Sequence, residues 1–266
     1  MSRSNPTAKN PATCFMRWRG GEDGGGRVTY YDKETQEEVE VKLPFSFIVL
    51  DELTTLTGFN DNIKQGYWSN EVRKSDDTLV LRNKNGIVDR GTYQEIKAKN
   101  HSGMKFAQSV CIAFKDDSGE LVIGNIKLFG AAFSAWIDFK KKFDVMKCAV
   151  LLSGAKAAKK GTTDYFIPIF EGQQVSAETD SAAGELDKVV QSYLGTYLSR
   201  RPDDDDNSEI VDEPEEEVEV ETVAPPAEKT PTTAPEVAAP AKPQPPRAVP
   251  ANGGDDEKIN LADVPF

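Results

Sequence analysis

The stretch Phe106-Ala107-Gln108-Ser109-Val110-Cys111-Ile112-Ala113-Phe114, the turn sequence Asp116-Asp117-Ser118-Gly119, and the run Leu121-Val122-Ile123-Gly124-Asn125-Ile126-Lys127-Leu128 decide the fold class. Two β-prone runs around an Asx-rich, glycine-bearing turn read as a hairpin. Nearer the amino terminus, Val28 to Tyr31 and Glu38 to Leu43 form an earlier hairpin, the second run with strict alternation. Pro44 then opens Phe45-Ser46-Phe47-Ile48-Val49-Leu50, an apolar run that crosses the core, and a threonine-rich stretch leads to Gly58. Tyr67 to Arg73 and Thr78 to Arg82 are short strands, and Asn83-Lys84-Asn85-Gly86 is a turn. After Gly130 the period changes. Phe133, Trp136, Ile137 and Lys140 to Phe143 suit a helix with one apolar face and a basic end. Lys147 to Leu152 and Tyr165 to Phe170 are closing strands, joined by a basic loop, Lys156 to Gly161, and Ala183 to Ser199 is a final helix. Strand and helix do not alternate, so the pattern predicts a mainly β body with one or two helices, an OB-fold-like Greek-key barrel, rather than an α/β sheet.

Composition separates this body from the carboxy-terminal segment. From Pro202 onward there are 18 Asp plus Glu, 4 Lys plus Arg and 12 of the 16 prolines, and Phe266 is the single aromatic. Such a segment cannot bury enough apolar surface to offset its chain entropy, which predicts a disordered acidic tail. The overall charge of -12 therefore hides a body, residues 1–201, with 28 basic and 26 acidic side chains. The expected organisation is a binding domain over 1–201, an acidic proline-rich linker over 202–254 and a terminal peptide over 255–266. No apolar run reaches the roughly 18 residues of a membrane span, and the start has no apolar signal region, so a cytoplasmic location is expected.

The residues argue against catalysis. The glycines at 20, 21, 24, 25 and 26 have no preceding strand and no Gly-Lys-Ser or Gly-Lys-Thr ending, which marks a flexible loop rather than a nucleotide site. His101 is the sole histidine, and Cys14, Cys111 and Cys148 are widely spaced. No zinc site, disulfide framework, catalytic residue or cofactor is expected. Asp76-Asp77 and Asp116-Asp117 fall where turns are expected, which suits solvated carboxylates better than a metal.

Aromatic and basic residues interleave instead. Trp18 and Arg19 follow Arg17; Tyr67 and Trp68 lead to Arg73 and Lys74; Lys97, Lys99 and Lys105 precede Phe106. A single-stranded nucleic-acid groove needs such neighbours, because every base has a π-face and every nucleotide a phosphate. Trp136, Phe45, Phe47, Phe166 and Phe170 are assigned to the core.

A small β body, interleaved aromatic and basic residues, and an acidic tail ending Asp255-Asp256-Glu257, then Asp263-Val264-Pro265-Phe266, together resemble the single-stranded DNA-binding proteins. The layout of the body, including Leu43 to Arg73, is most similar to phage-encoded versions. The resemblance implies a protein that coats single-stranded DNA in replication, recombination and repair, in the host cytoplasm if phage-encoded; a tetramer does not carry over to this larger body, and a monomer or dimer is expected. It also implies that the terminal peptide docks a polymerase, helicase, nuclease or recombinase, with Phe266 in a hydrophobic pocket ringed by basic residues. The departures are Lys258 to Ala262, which interrupt the acidic run, and a body larger than one bacterial OB domain. The alternatives are a strand-annealing protein, a non-enzymatic interaction or assembly adaptor and, third, a metal-dependent nuclease using Asp76 or Asp116.

Overall fold

The computed structural model describes residues 9–21 and 23–200. In chain order these form β1 (Phe15–Arg19), β2 (Arg27–Asp32), β3 (Glu37–Val41), β4 (Phe45–Asn60), β5 (Gln65–Ser69), β6 (Leu79–Asn83) and β7 (Gly86–Gly91). Next in the chain come α1 (Tyr93–Ala98), β8 (Met104–Lys115), β9 (Leu121–Phe129), α2 (Gly130–Lys140), β10 (Ala149–Lys160), β11 (Thr163–Gln173) and α3 (Ala177–Leu198). The described residues are mainly β, with three helices rather than the one or two expected.

All strands join one mixed sheet in the order β3-β2-β1-β9-β8-β4-β5-β6-β7, and β10 and β11 branch from β4. Only the β1–β9 pair is parallel among these ladders. The spine is β4. Its first residues pair with β10, residues 47–58 pair with β8, and its last four pair with β5. A bulge between Val49 and Asp51 lets one strand serve these neighbours by bending it. The sheet does not close as a continuous ladder. A single bridge between Gly21 and Tyr165 returns β11 toward the end of β1, where the Phe166 N–H donates to the Gly20 carbonyl and Trp18 Nε1 donates to the Phe166 carbonyl at 3.0 Å.

Alternation along the strands sorts side chains into three apolar clusters. The largest lies on one face of the sheet and gathers Met16, Trp18, Val28, Phe47, Val110, Ile112, Ile126, Leu128 and Leu152 around Trp136 and Phe139 of α2. Trp136 is fully buried, and its Nε1–H donates to Glu52 at 2.6 Å, while Lys140 reaches the same carboxylate at 2.9 Å. The opposite face is covered at one end by α3, whose Ala183, Val190 and Leu194 pack on Ile48, Leu53, Ala113 and Ile123. Ser176 caps α3 by accepting from the Thr179 N–H, and Glu178 and Asp180 favour its positive end, so the helix starts six residues before the expected Ala183. The third cluster, Leu56, Tyr67, Val72, Leu79, Leu81 and Ile96, is the separate core of the β5–β7 and α1 segment.

Three expectations are corrected. The run 156–160 is not a loop: β10 continues through it, pairing with β11 to Lys160–Thr163, and only residues 161 and 162 turn, with Gly161 at φ +63. The segment 67–73 is a strand only to Ser69. The glycine-rich segment is a close-packed turn against the β10–β11 arm. Gly26 has φ +74, and a Cβ there would meet Ala155 Cβ at 2.6 Å and Phe166 Cβ at 2.8 Å, so only glycine fits without displacement.

Candidate nucleic-acid interface

Residues directly opposed across a ladder share a face. On the side away from the Trp136 core, one row runs Arg82, Trp68, Thr57, Lys105 from β6 to β8. Two residues along β8 lies Ala107 with Phe129 of β9 opposite, and two further lies Ser109, followed by Lys127 and then Arg17 of β1. This face therefore presents Trp68 and Phe129 among Lys105, Lys127, Arg17 and Arg82. α3 covers the other end of this face; here the small residues Ala107 and Ser109 are buried, and the larger side chains around them reach solvent. Trp68, Phe129, Lys127, Arg17 and Arg82 are half-buried and Lys105 is exposed. The Lys105 ammonium stands 5.1 Å from the centre of the Phe129 ring, a cation–π contact. A base stacking on Phe129 requires that ammonium to swing aside toward a phosphate, which its exposed four-carbon stem permits.

The far end of this face is electrostatically tempered. Glu38 of β3 accepts from Arg19 Nη2 and from the Thr29 hydroxyl, both at 2.6 Å, and lies 3.5 Å from Arg17 Nη2. Burial works against its ionisation, but the hydrogen bonds from Thr29 and Arg19 and the two guanidinium charges prevail and hold the carboxyl below its usual range. Glu38 is thus ionised at neutral pH beside two arginines on the candidate surface. Glu38→Gln removes one negative charge and is expected to tighten binding of a single strand about threefold to tenfold at low salt. The gain should fade as salt rises; affinity titrations at two ionic strengths check this, and an unchanged or weaker affinity places the strand elsewhere.

The sequence-predicted residues that the structure describes separate into five places. Trp68 and Lys105 sit on the open face. Arg19 shares the face but is engaged by Glu38, and Arg73 lies beside α3, donating to Asp51 at 3.0 Å and to Gln191 at 2.9 Å. Lys74 is exposed in the loop after β5. Lys97, Lys99 and Phe106 belong to the α1 side: Lys97 lies over Tyr93, Lys99 pairs with Asp89, and Phe106 packs on Tyr93 and Phe133 at 4.6 and 5.2 Å. Trp18 and Tyr67 are corrected to core residues, 5% and 6% exposed, with no ring face open to a base. Trp18 donates to the Phe166 carbonyl, and the Tyr67 hydroxyl accepts from Asn60 Nδ2 at 2.9 Å. Lys127, Phe129 and Arg82 were missed, and the signal that finds them is strand alternation. The terminal-peptide residues Asp255, Asp256, Glu257, Asp263, Val264, Pro265 and Phe266, and the linker before them, lie outside the described residues.

Other chemistry is sparse on the described residues. Burial pushes the Cys14 thiol up to about 11, against a hydrogen bond from Thr13, and that of Cys111 up to about 12, so both stay protonated at neutral pH. No group of three His, Cys, Asp or Glu side chains is placed to hold a metal ion among the described residues. Asp116 closes the β8–β9 turn, accepting from the backbone of Ser118 and Glu120. No helix among the described residues is long and apolar enough to cross a membrane. No protein-family model, curated protein or solved structure matches the chain.

Proposed function

We propose that the protein is a non-enzymatic single-stranded DNA-binding protein of OB type, phage-encoded, that coats exposed strands during replication, recombination and repair. The observation that carries this reading is the face on which Trp68 and Phe129 stand in adjacent rows among lysines and arginines. Rings accept bases of any sequence and cations follow the phosphates, so binding is electrostatic attraction followed by stacking, without base-edge readout.

Connectivity supports the OB component. The elements β4, β8, β9, α2, β10 and β11 have the spatial order β9-β8-β4-β10-β11, with the helix between the third and fourth strands of the set. In an OB barrel the face of strands two and three binds oligonucleotides, flanked by the loops after strands one and four. Here those strands are β8 and β9, and the two flanks are the β5–β7 and α1 segment and the lysine-bearing β10–β11 arm. In this reading residues 255–266 recruit replication or recombination enzymes in the host cytoplasm. A terminal Phe offers a ring and a carboxylate at one point, which an arginine-lined pocket holds with bidentate bonds.

Titrating the intact protein's tryptophan fluorescence with poly-dT and with duplex of equal length tests the reading. Trp18 and Trp136 are buried, so Trp68 is the reporter. Quenching by the single strand at far lower concentration than by duplex is expected. Silence in this titration and in a gel shift at low salt sinks the reading and favours an interaction adaptor.

A further inference from the structure

On the premise that the open face binds a single strand, we infer that the β5–β7 segment is a second half of the binding track, so that one chain grips about twice the length of single strand that the β1–β9–β8–β4 face alone would hold. The segment has its own buried core on one side, and on its other side Val80 is buried while Arg82 is half-buried and Ile87 exposed. That other side continues the open face strand by strand. Lys105 faces Thr57, Thr57 faces Trp68, Trp68 faces Arg82, and Arg82 faces Ile87 of the edge strand β7. Ile87 is 51% exposed, and Phe59, two residues beyond Thr57 on the same side of β4, is 36% exposed. An apolar side chain left in water at the end of a row that holds two cations and one indole ring matches the flat apolar face of a base. Lys84, exposed in the turn between β6 and β7, supplies a cation at that end.

The span sets the expected length. From β1 to β4 the sheet order makes three inter-strand steps, and from β1 to β7 it makes six. At roughly 4.8 Å per step these are about 14 and 29 Å along the sheet. At roughly 3.4 Å per stacked nucleotide the shorter track holds about four nucleotides and the longer about eight. The occupant is a single strand: a duplex buries its base faces, so Trp68, Phe59 and Ile87 would have nothing to stack against.

Fluorescently labelled oligothymidylates of about four and about eight nucleotides, titrated into the full-length protein by anisotropy, test the inference. In the unaltered protein the longer oligonucleotide should bind at least about tenfold more tightly than the shorter one, beyond the statistical gain of extra registers. Ile87→Glu should erase most of that increment and leave the short oligonucleotide's affinity within about twofold, while Ile87→Phe should enlarge it. Both changes sit at an exposed edge position, so the fold tolerates them. Equal affinities for both lengths, or an Ile87→Glu protein that keeps the full increment, overturns the second half-track while leaving the DNA-binding reading intact. Binding of neither length overturns that reading itself.

Discussion

A protein carrying Trp68→Ala and Lys105→Glu together is expected to bind oligothymidylate about 100-fold more weakly than the unaltered chain at moderate salt. Losing one stacked ring removes roughly 1 to 3 kcal/mol. Reversing the charge of Lys105 removes a phosphate contact and adds repulsion, and about 1.4 kcal/mol corresponds to each tenfold loss. The two residues are neighbours through Thr57, so the double change need not equal the sum of the single ones, and both singles belong in the experiment. The salt dependence should become shallower by about one to two counterions. Neither residue belongs to a buried apolar cluster, so the urea midpoint should stay close to that of the unaltered protein. The paired control is Lys97→Glu with Lys99→Glu, on the α1 side, for which a change of no more than about threefold is expected at the same salt. If the control pair weakens binding as much as the test pair, the strand runs over α1 rather than the face of β8 and β9.

Trp136→Ala is expected to cost about 3 to 5 kcal/mol of stability, measured by urea unfolding followed by circular dichroism. Trp136 has no exposed surface and touches Phe47, Phe139 and Phe170 at ring-centre distances of 6.3, 5.6 and 5.1 Å. Truncation leaves a cavity beneath the sheet and takes one donor from Glu52. Native domains hold only about 5 to 15 kcal/mol in total, so this one change removes a large share. Trp136→Phe separates the two contributions: it keeps most of the packing, loses the bond to Glu52, and should cost about 1 to 2 kcal/mol. A loss below about 1 kcal/mol for the alanine variant would mean that α2 is not a keystone of the main core.

Much of the fold was legible because short-range patterns set it. The hairpin of β8 and β9, the helix after Gly130 and the alternating run in β3 all arise from period and turn chemistry. The six-residue α1 escaped periodicity, although Thr92 and Glu95 form a reciprocal capping box that is readable in the sequence. The partnership of β4 with β10 joins residues about a hundred positions apart, and no local pattern encodes it. The candidate site was legible in composition and illegible in direction. Each pair of neighbours that looked like one patch is split by the two-residue repeat of a strand: Trp18 points inward and Arg17 outward, Tyr67 inward and Trp68 outward, Phe106 inward and Lys105 outward. The same rule recovers Lys127, which lies in a run read only as a hairpin strand, and Phe129, the residue after that run's end.

The parallel pairing of β1 with β9 sets an order of events during synthesis. Phe15 to Arg17 find their partners at Asn125 to Lys127, so β1 leaves the ribosome with one flank unmatched until β9 has been made. At roughly 5 to 20 residues per second that wait is on the order of 5 to 20 seconds. Throughout it, Met16 and Trp18 have no finished core to enter, and only the local hairpin with β2 and β3 can shelter them. The β1–β9 ladder is therefore among the late joints of the sheet, closed only after β4 and β8 have been made.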